Sequence, residues 1–240
     1  MDLPISDPRE IATGFTFQFI SEFVPKGGRI LEVGCGLGHL AQKLSRSGYD
    51  ILAIDTSDTA VEATLSKNVR SQKAAIENVA ENGFDAILFT RSLHHIHPIG
   101  SCLDKAKELL KPHGKIIIED FGYDLMDENT VLWYQGLRNT LAHFAQNADW
   151  FLPLERGLKK WISHHSEDHK LHKADELRRE IEKRFSGCHI FLNQPYLFRY
   201  FIGSEAIPFQ TVESIFKWEK HLISERKITG LGIRIIGTNE

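Results

Sequence analysis

Cysteine is scarce in this 240-residue chain: Cys35, Cys102 and Cys188 are the only three, and they stand far apart. Such spacing excludes a disulfide framework and a clustered zinc pattern, and it suits a reducing compartment. There is no basic excess, because 29 Lys and Arg face 32 Asp and Glu, a formal net charge of −3. Proteins that grip a phosphate backbone usually carry the opposite bias, so nucleic acid is not an expected partner. No apolar run approaches the ~18 residues that cross a bilayer, and no membrane partner is expected. The opening residues Met1, Asp2, Leu3 and Pro4 show no basic-then-apolar leader, so the expectation is a cytoplasmic protein. Repeats, low-complexity tracts and polar linkers are absent. A hydrophobic content of 42% and a charged content of 25% are ordinary for a globular chain.

What is present is an alternation. Short runs that are apolar on both faces begin at Arg29, Asp50, Phe84 and Lys115. Runs of this kind are expected of strands in a parallel sheet covered on each side. Between them, residues 37–46, 58–67 and 101–110 carry apolar side chains at helical spacing. The expected fold is α/β, a Rossmann-like open and mostly parallel sheet with helices on both faces. Residues 123–188 hold no strand-like run, and 125–144 and 173–185 read as helices. Strand character returns at 189–192, 196–202 and 232–237. The organisation predicted is a single domain over 1–240. It comprises a ligand-binding half over 1–122, a helical insertion or lid over 123–188 and closing strands over 189–240.

The strongest motif is Leu31-Glu32-Val33-Gly34-Cys35-Gly36-Leu37-Gly38, placed where a strand turns into a helix. Glycines permit the tight turn and a close approach of backbone to ligand, and the helix start offers free N–H groups. A dinucleotide fingerprint needs a small residue three positions after its second glycine, and His39 stands there instead. Glu32 would repel a pyrophosphate but would suit a cationic group such as an ammonium. These two residues argue against a nicotinamide-dependent dehydrogenase.

The motif resembles the acidic-x-Gly-x-Gly-x-Gly signature of the class I S-adenosylmethionine-dependent methyltransferase family, small-molecule type. Further resemblances follow in chain order. Asp55 ends the second strand. Phe84 to Ile96 resembles the fourth-strand motif, and Leu109 to Asp120 resembles the Leu-Lys-Pro-Gly-Gly turn and fifth strand, with His113 replacing a glycine. The resemblance implies an enzyme that moves a methyl group from S-adenosyl-L-methionine to a small-molecule acceptor by in-line displacement. It implies that Glu32 orients the cofactor's ammonium and that backbone at Gly34, Cys35, Gly36 and Gly38 cradles its methionine part. Asp55 would hold the ribose, Thr56, Ile76 and Glu77 would surround the adenine, and Thr90 and Arg91 would lie beside the sulfonium. Where the family often has Asp for the adenine amino group, this chain has Ala75, which leaves Glu77, Asn78 or backbone for that role. A methyltransferase-like regulatory protein without catalysis is the alternative.

Other residues have two readings each. Cys35, between glycines, reads as a small buried residue and not a nucleophile. Asp55 also suits a helix cap, a role Ser57 can fill. His94 or His95 is the candidate general base, should the acceptor need to lose a proton. His165, His169 and His172 have i, i+4 and i+7 spacing, but no Glu completes a metal motif, and no metal is expected. The aromatic residues Trp133, Tyr134, Phe144, Trp150, Phe151 and Trp161 read either as core or as the wall of an apolar pocket. Trp133, Tyr134, Trp161 and Tyr196 are the candidate acceptor contacts.

Overall fold

The apolar runs become neighbouring strands of one seven-stranded sheet, in the order β3-β2-β1-β4-β5-β7-β6. The computed structural model describes residues 7–141, 157–202 and 207–240. Phe144, Trp150 and Phe151, and the residues of the expected leader-free start, lie outside the described residues. The strands are β1 (Arg29–Val33), β2 (Asp50–Asp55), β3 (Ser71–Lys73), β4 (Phe84–Thr90), β5 (Leu110–Phe121), β6 (Ser186–Gln194) and β7 (Gly232–Thr238). Pairings β1–β2, β1–β4, β2–β3 and β4–β5 are parallel. Asn239 bonds His113 and Gly114 while Leu231 bonds Gly122. Residue numbers rise on one strand as they fall on the other, so β7 runs antiparallel to β5. The sheet is thus mixed, as the sequence led one to expect of a Rossmann-like fold.

Described helices are α1 (Arg9–Ser21), α2 (His39–Arg46), α3 (Asp58–Leu65), α4 (Ile99–Leu109), α5 (Glu128–Leu141), α6 (Gly157–Ser163), α7 (Ala174–Glu182) and α8 (Phe209–Ser224). In α4 the buried residues Ile99, Cys102, Leu103, Ala106 and Leu109 form one stripe. Helix α3 is capped by Ser57, whose hydroxyl accepts from the Ala60 N–H. Helix α2 carries Lys43 and Arg46 in its last turn, where the dipole favours cations.

The chain divides into two compact units, each discontinuous in sequence. The larger holds Thr13–Asp120, Asp175–Phe191 and Arg234–Glu240, and its core joins Ile20, Ile30, Leu44, Ala53, Leu88 and Ile236. Beside that core, Arg234 lies over the Phe15 and Phe19 rings and is salt-bridged to Glu119, which also accepts from the Thr16 hydroxyl. The smaller unit holds Met1–Ala12, Phe121–Ala174 and Leu192–Ile233. Its core is aromatic, with Phe121 stacked on Tyr196 and Tyr134 edge-on to Trp161.

Two expectations fail here. Residues 196–202 were expected as a strand, but Leu197–Phe201 is a 3₁₀ helix. The cause is Glu219 of α8, a buried carboxylate that accepts the N–H groups of Tyr196, Leu197 and Phe198 at 2.8, 2.9 and 2.8 Å. Three consecutive donors converging on one group cannot belong to an extended strand, whose N–H groups alternate in direction. The three histidines do not share one helix face either. A π-helical turn covers His164–Asp168, and the chain has left the helix before His172. His165 is buried with Nδ1 on the Trp161 carbonyl, while His164 and His169 meet through their Nε2 atoms at 3.2 Å. Among the described residues, no three His, Cys, Asp or Glu are grouped to hold a metal ion. The expected closing segment also contains α8, which the sequence reading did not foresee.

Glu219 should therefore matter as a cap. Glu219→Leu strands three buried donors at about 1–3 kcal/mol each, so urea denaturation should show a loss above about 3 kcal/mol. Glu219→Gln keeps one acceptor oxygen and should lose clearly less.

Candidate functional site

At the end of β1 the backbone turns left-handed three times within five residues, with φ of 77° at Gly34, 51° at Gly36 and 72° at Gly38. Two of these glycines are forced by neighbours as well. A Cβ on Gly34 would stand 2.5 Å from Ser92 Cβ, and one on Gly38 would strike Thr64. Gly36 differs, since a Cβ there would meet nothing within 4 Å. The loop is thus packed behind and open in front, a cradle for a ligand.

The second strand holds the loop. Gly34 N–H and Cys35 N–H both donate to the Ile54 carbonyl, at 2.8 and 3.0 Å. Asp55 accepts from Gly36 N–H on one oxygen and from Ser57 N–H on the other, both at 3.0 Å. Ser57 caps α3, so Asp55 is not needed for that role. Cys35 is buried, with Sγ 3.5 Å from the Thr64 hydroxyl, and burial raises its thiol pKa. A thiol held protonated is a poor nucleophile. Thr56 and Glu77 are exposed, and Ile76 is buried in the 3₁₀ turn Ile76–Asn78.

Glu32 is the electrostatic anomaly. It is fully buried and its Oε2 finds no hydrogen-bond partner among the described residues, while Oε1 accepts from the Thr90 hydroxyl at 3.4 Å. Burial pushes its carboxyl up to about 8, against weaker opposing effects from Arg91 and Thr90. Buried acids are normally paired, and an orphaned one beside an open loop asks for a cation. Arg91 does not fill that need. Its backbone is left-handed, at φ 60°, its N–H donates to the Glu119 carbonyl at 2.7 Å, and its guanidinium is 3.9 Å from the Glu119 carboxylate. The side chain faces an acidic group on β5.

Beyond Thr90, the 3₁₀ turn Leu93–His95 separates the two candidate bases. His94 is buried and held by Asp120 at the end of β5, while His95 is exposed. Sequence reasoning missed Asp120, Ser92 and Thr64. The adjacent acids Glu119 and Asp120, directly after three isoleucines of β5, were the available clue to the first.

Of the expected acceptor contacts, Tyr134, Trp161 and Tyr196 are core residues of the smaller unit. The Trp161 indole donates to the Tyr123 carbonyl at 2.9 Å. Trp133 is half-buried and packs edge-on against Trp218, and its indole nitrogen has no hydrogen-bond partner among the described residues.

Comparison with known proteins agrees with this fold. The family model for a methyltransferase domain matches residues 8–183. A ubiquinone biosynthesis O-methyltransferase of Alkalilimnicola ehrlichii is 27% identical over 159 residues, 55% of this chain and 64% of that protein. Another from Xylella fastidiosa is 34% identical over 110 residues, 42% of this chain and 45% of that protein. The chain thus spans less than two thirds of the length of these curated relatives. Among solved structures, a methyltransferase of Archaeoglobus fulgidus superposes with a TM-score of 0.57 at 15% identity, covering 96% of this chain and 94% of the other. The geranyl diphosphate C-methyltransferase of Streptomyces coelicolor A3(2) superposes with a TM-score of 0.60 at 12% identity, covering 99% and 83%. At such identities these likenesses speak for the fold. The family model matches well over half of the chain, and the chain belongs to the S-adenosylmethionine-dependent methyltransferase family.

Proposed function

We propose that this chain transfers the methyl group of S-adenosyl-L-methionine to a small-molecule acceptor with an apolar or aromatic body. The observation that carries the reading is Glu32, a buried acid with an orphaned oxygen beside the open face of Gly36. The donor set fits the cofactor: a carboxylate for its ammonium, a bare glycine backbone for its methionine part and Asp55 for its ribose. Thr56, Ile76 and Glu77 would border the adenine, and Thr90 and Arg91 the sulfur. When bound, the cofactor supplies an electrophilic methyl group and departs as a neutral thioether, so no acid is required. The residues then have to position the acceptor atom in line and keep water out. An apolar acceptor is supported by relatives named for ubiquinone biosynthesis. In the smaller unit Trp133, with its unpartnered indole N–H, is the side chain best suited to touch an acceptor, and Tyr134, Trp161 and Tyr196 would act by shaping its surroundings. A cytoplasmic setting fits the three unpaired cysteines, and no described helix is long and apolar enough to cross a membrane.

Asp55→Ala should weaken binding of S-adenosylhomocysteine by roughly 1.5–3 kcal/mol, the scale of hydrogen bonds to a charged group. Calorimetry reporting unchanged affinity would remove Asp55 from the site. Gly36→Asn tests the cradle more gently than Gly36→Val, since Asn tolerates left-handed backbone. Both should bind S-adenosylhomocysteine at least about tenfold more weakly, the Asn variant with near-native melting. Normal affinity in a folded variant would place the ligand elsewhere.

Glu32 gives a proton-linked prediction. With its carboxyl raised to about 8, the free protein holds a proton there at pH 7. An ammonium alongside favours the carboxylate, so binding should release a proton near neutral pH. Calorimetry in buffers of different ionisation enthalpy should detect the release, and Glu32→Gln should abolish it. In the free protein stability should fall as pH climbs from about 4.5 to about 8, because the folded state keeps a proton that the unfolded state gives up. Glu32→Gln should flatten that slope.

A further inference from the structure

Thr90 is the last residue of β4 and stands opposite Glu119 of β5 in the sheet register. Arg91 follows at once, with a left-handed φ of 60°. Such backbone is uncommon for side chains of this size, and residues held in it cluster at active sites and ligand clamps. The bend is pinned by the Arg91 N–H, which donates to the Glu119 carbonyl at 2.7 Å. It leads into Ser92, which donates to the Val33 carbonyl at 2.6 Å and fills the space a side chain on Gly34 would need. The fold thus holds a long cation in an unfavourable conformation at the carboxyl end of β4, beside the glycine loop, where open α/β sheets bind their ligands.

The charges around that cation do not balance. Among the described residues Glu119 is the acid paired with Arg91, and at 3.9 Å the contact is longer than a hydrogen bond. The same carboxylate takes two N–H groups of Arg234 on one oxygen, at 2.8 and 2.6 Å, and the Thr16 hydroxyl on the other. One carboxylate therefore faces two guanidinium groups, and both of those stay charged at any ordinary pH. Glu32 also acts on Arg91, but burial keeps its carboxyl protonated at neutral pH, and once ionised it is answered by the cofactor's ammonium. The Arg91 guanidinium makes no hydrogen bond among the described residues, and the side chain is 38% exposed. One unit of positive charge is left over at this place, and a neighbouring sulfonium enlarges the surplus. An anion is the second ligand that such a field favours.

We propose that Arg91 selects the acceptor, and that the acceptor class is a carboxylic acid with an apolar or aromatic body whose carboxylate pairs with the Arg91 guanidinium. The proposal rests on the methyl-transfer reading above. A guanidinium offers a carboxylate two parallel N–H donors, which fixes orientation as well as adding attraction. The surplus of one charge suits a monoanion. A phosphate monoester carries close to about two negative charges at neutral pH and would need a second uncommitted cation. Arg234 is not that cation, since it is bound to Glu119 and to the Phe15 carbonyl. The competing anion is the cofactor's own carboxylate, and the two assignments make opposite demands on a variant.

2-Naphthoate and 2-naphthamide have nearly the same size and shape and differ in charge, which makes them suitable probes. Calorimetry on the protein saturated with S-adenosylhomocysteine should find the acid bound at least about tenfold more tightly than the amide, the scale of a hydrogen-bonded charge. Arg91→Gln keeps a polar side chain and removes the charge, and it should bring the two affinities to within about twofold of each other. Arg91→Lys keeps the charge without the paired donors and should retain part of the preference. Thermal melting of both variants shows whether each is folded. Equal affinity for acid and amide in the wild type would overturn the proposal, as would binding of neither at millimolar concentration. A preference that survives Arg91→Gln in full would overturn the role of Arg91. A fall of more than about tenfold in the S-adenosylhomocysteine affinity of folded Arg91→Gln would give Arg91 to the cofactor's carboxylate, and the proposal would fail on that result too. Failure of the wild type to bind S-adenosylhomocysteine at all would instead strike the methyl-transfer reading, a separate result.

Discussion

The bond that organises this protein is the double acceptance at the Ile54 carbonyl, which takes the N–H groups of both Gly34 and Cys35. It extends the β1–β2 pairing one step past the strand and bends the chain there. Everything in the site follows from that bend. Ser92 and Thr64 close in behind the loop, Asp55 reaches the Gly36 N–H, and the first turn of α2 starts from Gly38. The price is paid in conformation: left-handed backbone at three positions, two of them with no room for a methyl group.

Two buried glutamates on strands of the same sheet show what the site demands. Glu119 on β5 is answered by Arg234, whose Nε and Nη2 lie 2.8 and 2.6 Å away, and by the Thr16 hydroxyl at 2.5 Å. Among the described residues, Glu32 on β1 has only the long hydrogen bond from Thr90. The fold can neutralise a buried acid and does so a short distance away. That Glu32 is left unanswered is a property of one position, and a buried carboxyl with an unpartnered oxygen is what a cationic ligand group can satisfy.

Much of this was legible in the sequence. Strands apolar on both faces announced a covered parallel sheet, and the spacing from Glu32 to Gly38, with Asp55 beyond, placed the loop and its acidic partners. The substitution of His113 for a glycine near the start of β5 has a structural reading: its φ is 62°, left-handed backbone that glycine would adopt freely. What stayed hidden depended on partners distant in sequence. Nothing local in residues 196–202 reveals that Glu219 will collect their N–H groups. Nothing local in His94 and His95 separates a clamped imidazole from an exposed one, because the separation comes from Asp120 on another strand. Helical spacing among His165, His169 and His172 was sound arithmetic applied to a segment that leaves its helix too early.

The sheet order has a consequence for how the chain comes together. Strand β7 lies between β5 and β6, yet it follows both in sequence. As the polypeptide is synthesised, β5 and β6 emerge with a gap between them that only a much later segment can fill. Pairing those two earlier strands directly would be a wrong choice of neighbour, one the final sheet order excludes. The late arrival of β7 makes this side of the sheet the slow, non-local part of folding.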